Sequence, residues 1–403
     1  MLSAAQYLAF GSAVSVLFSI AVCQILLALA LVALLLSKAP LRLPRIWLPL
    51  ALFLLATLVS LAFSGDVTGG LPQVRKIYVY SMLLVVFSLF RDLRLIRRLV
   101  LCWAGVGAIV AARGIVQFAA KVSEAAALGR NFYDYYEPER ITGFMSHWMT
   151  FAGQEMVVLL MLLAFLFFAP GLRRRSFYMW TVCVVLMGTA VLLNETRTVW
   201  LGLGLAGIWL LWWWKRWMVA AGPVLILLLI WFVPGPVHAR FVSILRPQKN
   251  IDSNEFRLIA IRCGVRMIRA HPFLGIGLEE TKYHFLDYLP PDTPRPLPLG
   301  FYQHLHNFYL QYAAERGIPT LLMMIWMLLQ ILHDFYRALQ RLPPGRSDER
   351  FLLQGGIATV IGIMVSGVFE VNLGDSEVLT VFLVVVACGY IAAVPTSRVL
   401  SVQ

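Results

Sequence analysis

Residues 3–36, SAAQYLAFGSAVSVLFSIAVCQILLALALVALLL, hold no charged side chain. One upright transmembrane helix needs about 20 mostly apolar residues. This run is too long for one, so residues 4–37 read as two helices in a tight hairpin. No basic segment precedes the run, so it reads as retained rather than as a cleaved signal peptide. Further apolar runs follow at 46–63, 77–90, 99–119, 148–168, 177–193, 199–214, 217–233, 320–333, 352–369 and 377–394. With the hairpin they predict an all-α integral membrane protein of about twelve transmembrane helices. The shortest run is 77–90.

Composition agrees. Hydrophobic residues make up 60% and charged residues 14% of the 403, whereas a soluble domain carries roughly 25% charged residues. Such a chain cannot cover itself with a soluble surface. Its net charge of +13 would suggest nucleic acid on a soluble protein; here it must first be sorted by side of the membrane. One alternate set of loops holds Lys38, Arg42 and Arg45; Arg91, Arg94, Arg97 and Arg98; Arg173 to Arg175; Lys215 and Arg216; and Arg337, Arg341, Arg346 and Arg350. The opposite short loops hold only Arg75, Lys76, Lys121, Arg130, Arg140 and Arg197. The richer set faces the cytoplasm by the positive-inside rule, with both termini. The chain then divides into an N-terminal bundle (1–233), a long outer segment (234–319) and C-terminal spans (320–403). In a Gram-negative host the outer segment is a periplasmic loop.

That segment carries ten basic residues against seven acidic ones. Cytoplasmic retention does not explain them. Residues 252–270, DSNEFRLIAIRCGVRMIRA, predict an amphipathic helix capped by Ser253 or Asn254. Arg262, Arg266 and Arg269 share one face at i, i+4 and i+7. Leu258, Ile259, Ile261, Val265, Met267 and Ile268 cover much of the rest. Two readings stand. The helix lies on headgroups with its arginines on lipid phosphates, or the arginines bind a specific di-anion such as a lipid pyrophosphate. The planar guanidinium fork suits phosphate oxygens. Residues 289–300, LPPDTPRPLPLG, read as an extended connector.

Residues 303–319, QHLHNFYLQYAAERGIP, place His304, His306 and Asn307 before a helical run that Gly317 and Pro319 break. A histidine at this boundary titrates near neutrality and suits a general base, or is merely interfacial. Within or beside the spans, Arg113, Glu155, Glu195 and Arg197 pair, snorkel or line a wet cavity. The five cysteines show no paired spacing and imply neither disulfides nor a metal site. No Walker motif, dinucleotide-binding glycine signature, serine elbow or Asp-x-Asp element occurs. Neither a cofactor nor a metal is expected. A leaving phosphate would have to be stabilised by arginine.

Several of these residues fall in a familiar order. Arg257, then 271–277 (HPFLGIG), then 306–310 (HNFYL) and 315–319 (ERGIP) resemble the O-antigen ligase and polymerase family. So do 140–144 (RITGF) with His147 and Ala152-Gly153, and 196–202 (TRTVWLG). Thr196 and Thr198 depart from the family's usual serine and glycine around the arginine, and the turn after Gly317 lacks a common second glycine. The resemblance covers about 140–325. It implies a GT-C-like polytopic glycosyltransferase of the bacterial inner membrane, acting on its periplasmic face. The donor would be a glycan on undecaprenyl pyrophosphate, and the acceptor lipid A–core. A polymerase would use another undecaprenyl-linked glycan, and a related group a protein. The chain's modest length and single late loop look more like the ligase.

The resemblance implies His306 as base, with Arg197 and Arg266 at the reacting phosphate. Arg140, Arg257, Arg262, Arg269, His147, His304 and Asn307 would bind pyrophosphate or glycan. A transporter or lipid flippase is a different class consistent with many spans. It would usually show inverted repeats and broken helices, and none stands out.

Overall fold

The computed structural model describes residues 1–222, 231, 254–298, 300 and 302–394. Among these the chain is helical, without strands. Six helices are long and apolar enough to cross a membrane, and Ile20–Leu36 and Trp47–Ala62 are shorter apolar helices.

Helices α1 (Leu2–Ser15) and α2 (Ile20–Leu36) form the expected hairpin. Ala5, Ala9 and Ala13 are wholly buried along α1, and small side chains let helix backbones approach closely where hydrophobicity cannot drive them together. Ser12 Oγ donates to the Cys23 carbonyl across the pair at 2.7 Å. Ser19 caps α2 by accepting the Val22 N–H. After α3 (Trp47–Ala62) come α4 (Val67–Arg75), a 3-10 turn (Lys76–Tyr80) and α5 (Ser81–Leu89). The short 77–90 run is thus the C-terminal part of a longer, broken helix. At the break, Lys76 Nζ donates to the Gly374 carbonyl at 2.7 Å.

Helix α6 (Leu93–Ala127) has 35 residues. At 1.5 Å per residue it exceeds a hydrocarbon core of about 30 Å, and so overshoots the predicted 99–119. The short α7 (Phe132–Tyr136) precedes α8 (Trp148–Phe168), the central strut, most of which is buried. Helices α9 (Arg174–Leu193) and α10 (Arg197–Lys215) pack beside it. Most of the predicted 217–233 span lies outside the described residues.

The amphipathic helix is α11 (Asn254–Ala270); Ser253 lies outside the described residues. Its buried stripe is Phe256, Ile259, Ala260, Cys263 and Met267, the last four packed in a small core with Phe285, Leu305 and Ala314. Leu258 and Ile261, expected on the apolar face, are exposed instead. The helix docks its narrower stripe on protein, not its whole apolar surface on lipid. Then come α12 (Thr281–His284), α13 (Phe308–Arg341), α14 (Asp348–Ser366) and α15 (Ser376–Ala393).

Helix α13 is broken where the sequence predicts. Gly317 has φ 83° and ψ 161°, a region essentially reserved for glycine. Residues 272–277 lie against this break. Ile276 N donates to Ala314 O at 2.8 Å, Gly277 N to Glu315 O at 3.2 Å, and Ile318 N to Pro272 O at 2.8 Å. Gly275, at φ 73°, abuts the Glu315–Arg316 peptide so closely that a Cβ would overlap it. The two glycine-bearing motifs are therefore one backbone-to-backbone clasp.

The bundle's two ends differ in chemistry. At one, Arg97 pairs with Asp348 at 3.2 Å and donates to Pro170 O. At the other, Ser60 bonds the Leu274 carbonyl, Phe308 N the Gly367 carbonyl, and Thr150 the Asp375 carboxylate.

Candidate functional site

At this second end lies a polar cavity of about 510 Å³. Six chain segments meet there. The α4 terminus supplies Gln73 and Lys76. The α8 cap supplies His147, the loop around α12 Glu279 and Lys282, the stretch before α13 Gln303 and His304, the N-terminal half of α13 Glu315 and Arg316, and residues 370–378 Glu370 and Asp375.

His147 and His304 both line the cavity. His147 is the N-cap of α8, its Nδ1 accepting the Met149 N–H at 3.2 Å. His304 repeats the geometry two residues before His306, with Nδ1 accepting the His306 N–H at 3.2 Å. The rings of His304 and His306 lie 3.8 Å apart between centroids. His306 is buried, its ring edge-on to Phe256 at 4.9 Å. Its φ of 48° is uncommon for a residue with a side chain. Burial holds His304 down at about 4, helped by His147 and Arg257. Burial also lowers His147, with Arg140 adding to the effect and Asp375 opposing it.

Glu370 is 3% exposed and pairs with Arg257 at 3.3 Å. Burial raises it to about 7, against the pull of Arg257 and Arg140. Arg140 is itself buried, ion-paired to Glu137, and lies over the Trp148 ring at 5.6 Å. A carboxyl held high in the folded chain contributes stability that is full below its ordinary 4.5 and lost as pH rises through about 7. Glu370→Gln removes that loss. Wild type and E370Q should melt together near pH 4.5, and E370Q should melt higher at pH 8. A lower E370Q melting point at pH 8 would show that the Arg257 ion pair outweighs desolvation.

The predicted residues separate into groups. Arg140, Arg257, His147, His304 and His306 come together at this end of the bundle. Arg197 begins α10, half-buried, beside the buried turn of Asn194, Glu195 and Thr196. Asn194 Nδ2 ties that turn to the Ile141 and Trp148 carbonyls at 2.9 and 3.2 Å. Asn307 holds backbone at both ends of its amide: Oδ1 accepts the Leu310 N–H and Nδ2 donates to the Val368 carbonyl. Arg262, Arg266 and Arg269 stand on the exposed face of α11, away from the cavity wall. Arg262 is paired with Asp292 at 2.6 Å.

Sequence reasoning missed Gln73, Lys76, Glu279, Lys282, Arg316, Glu370 and Asp375 as lining residues. One signal was available: Glu370, Asp375 and Glu377 crowd the boundary between two apolar runs. Arg316 sits inside a recognised motif, 6% exposed, stacked at 4.1 Å on the Tyr312 ring and donating to Gln73 at 3.1 Å. Burial pushes Glu279 up, but Gln73, Lys282 and Lys76 hold it below the usual carboxylate range.

An apolar bundle with a charged, histidine-bearing cavity at one end defines a multi-pass membrane protein with an enzyme-like site. Residues 182–325 match the family model described as O-antigen ligase (Wzy_C), which supports membership of that family. The match takes in Arg197, Arg257, His304, His306 and Arg316, but not Arg140, His147 or Glu370. No curated protein matches the chain.

Proposed function

We propose that the protein transfers an O-antigen polysaccharide from undecaprenyl pyrophosphate to a sugar hydroxyl of lipid A–core, on the periplasmic face of the inner membrane. The observation that carries this reading is the juxtaposition of His306 and His304 with Arg257 and Arg140 beside a polar cavity at the bundle's end. The acceptor hydroxyl attacks the anomeric carbon of the donor sugar. The carbon–oxygen bond to the pyrophosphate breaks, and undecaprenyl pyrophosphate leaves with the electron pair. His306 takes the hydroxyl proton. One displacement inverts the anomeric centre. Arg197 and Arg257 hold the leaving group and neutralise the charge growing on it. No metal is needed in this scheme, because the leaving group is already good and cations hold it. Arg262, Arg266 and Arg269 then face lipid headgroups or the approaching substrate rather than the reacting phosphate.

The test is transfer by purified protein with EDTA present, from a polyisoprenyl-pyrophosphate glycan to lipid A–core. Product supports the ligase. Chains lengthening on the lipid carrier would assign the polymerase reaction, and no donor turnover would revive a transporter. Arg197→Lys tests the phosphate assignment. Lysine keeps the charge but loses the fork. Hydrogen bonds to charged groups contribute roughly 1.5–3 kcal/mol, so kcat/KM should fall about ten- to hundredfold. Unchanged donor affinity in R197K would instead assign Arg197 to lipid headgroups.

A further inference from the structure

Two histidines on the cavity wall have lost the same ring nitrogen to the backbone. Nδ1 of His147 accepts from Met149 N, and Nδ1 of His304 from His306 N. A neutral imidazole with an accepting Nδ1 carries its proton on Nε2. Such a ring donates through Nε2 and does not accept there. His147 is further fixed by stacking on Trp148, with centroids 4.0 Å apart and planes 27° apart.

The cavity's charges point to what it takes. Its cations are already engaged: Lys76 with the Gly374 carbonyl, Lys282 with Glu279, and Arg316 with Gln73. Carboxylates Glu279, Glu370, Asp375 and Glu377 line the same space. A pyrophosphate placed there would meet Glu279, which Gln73, Lys282 and Lys76 keep charged, and cations that are already taken. An uncharged sugar would meet carboxylate and amide acceptors for its hydroxyls, and N–H donors for its oxygens. Burial keeps both rings in the neutral form this requires.

We propose that the cavity is a subsite for an uncharged, hydroxyl-rich sugar unit, and that His147 is a fixed Nε2–H donor to one of its oxygens. The phosphate stays outside, with the arginines. The proposal rests on the glycosyltransferase reading and assigns a binding role to a residue outside the matched family segment.

The test uses purified full-length protein in detergent and two kinds of probe: dephosphorylated, lipid-free oligosaccharides of the acceptor and donor, and inorganic pyrophosphate. His147→Asn keeps the helix cap, because Asn Oδ1 accepts the Met149 N–H as Nδ1 does, but its amide is too short to reach as Nε2 does. H147N should keep the wild-type melting temperature and pyrophosphate affinity, and lose about tenfold in oligosaccharide affinity. H147Q restores the reach without the cap. It should melt lower yet bind oligosaccharide within a few-fold of wild type. Should H147N fail to fold, H147Q against H147M carries the same comparison, since the two are similar in length and only one donates. Wild-type oligosaccharide affinity in H147N would reduce His147 to a cap and overturn the proposal. So would a wild-type protein that binds neither oligosaccharide. A protein that binds sugar but transfers none sinks the ligase reading and leaves the sugar subsite standing.

Discussion

Replacing His306 with alanine should lower kcat for glycan transfer by about 10²- to 10⁴-fold, the usual contribution of a positioned general base. Donor affinity should stay at the wild-type level, because the pyrophosphate is assigned to arginines. The neighbourhood favours a base at this position. A second imidazole 3.8 Å away would oppose proton uptake if it were charged. His304 is held at about 4 and stays neutral, so His306 can accept a proton without that repulsion. One complication is conformational. His306 sits at φ 48°, which alanine tolerates poorly and asparagine better. His306→Asn is the cleaner variant: it keeps the backbone geometry and cannot serve as a base. Both variants should bind donor and fail to transfer. Wild-type turnover in either would remove His306 from the chemistry.

The largest structural loss is expected from Gly317→Ala. The backbone there lies where only glycine sits without strain. An alanine Cβ would also strike the Phe273 carbonyl group. That carbonyl cannot withdraw freely, since its neighbours are pinned by Ile318 N to Pro272 O and Gly277 N to Glu315 O. Strain of order 1–3 kcal/mol adds to the clash, so the loss should be roughly 3 kcal/mol or more. It should appear as a markedly lower melting temperature in detergent and a poor yield of folded protein. Gly188→Ala is the control, because a Cβ there meets nothing within 4 Å and alanine favours helix over glycine. G188A should melt at or above wild type. A G317A protein melting like wild type would mean that the clasp can open at little cost.

What could be read from the sequence divides along physical lines. The α1–α2 hairpin was legible because charge-free length has few solutions in a membrane. The α13 break was legible because Gly317 and Pro319 allow no continuous helix. Helix α11 was legible from its period, but its period does not say which stripe meets protein. Arg262, Arg266 and Arg269 do share a face, and that face points outward. Arg257, one turn earlier, is the arginine that reaches Glu370. The cavity wall was least legible. Lys76 and Gly374 touch across 298 residues of chain, and no local pattern announces such a contact. In the sequence His147 is only one member of a motif; its role as a cap with a fixed tautomer exists only once α8 begins at Trp148.

The clasp between residues 272–277 and the broken helix also bears on how such enzymes can be recombined. An outer loop joined to its bundle only by flexible ends could be exchanged between relatives like a cartridge. Here the loop is keyed into the first turns of a membrane helix by three backbone hydrogen bonds and two close-packed glycines. A chimera cut at residue 307 would separate the two halves of that key. One that carries the loop together with α13 as far as Pro319 would keep them together, and specificity swaps should be drawn along that boundary.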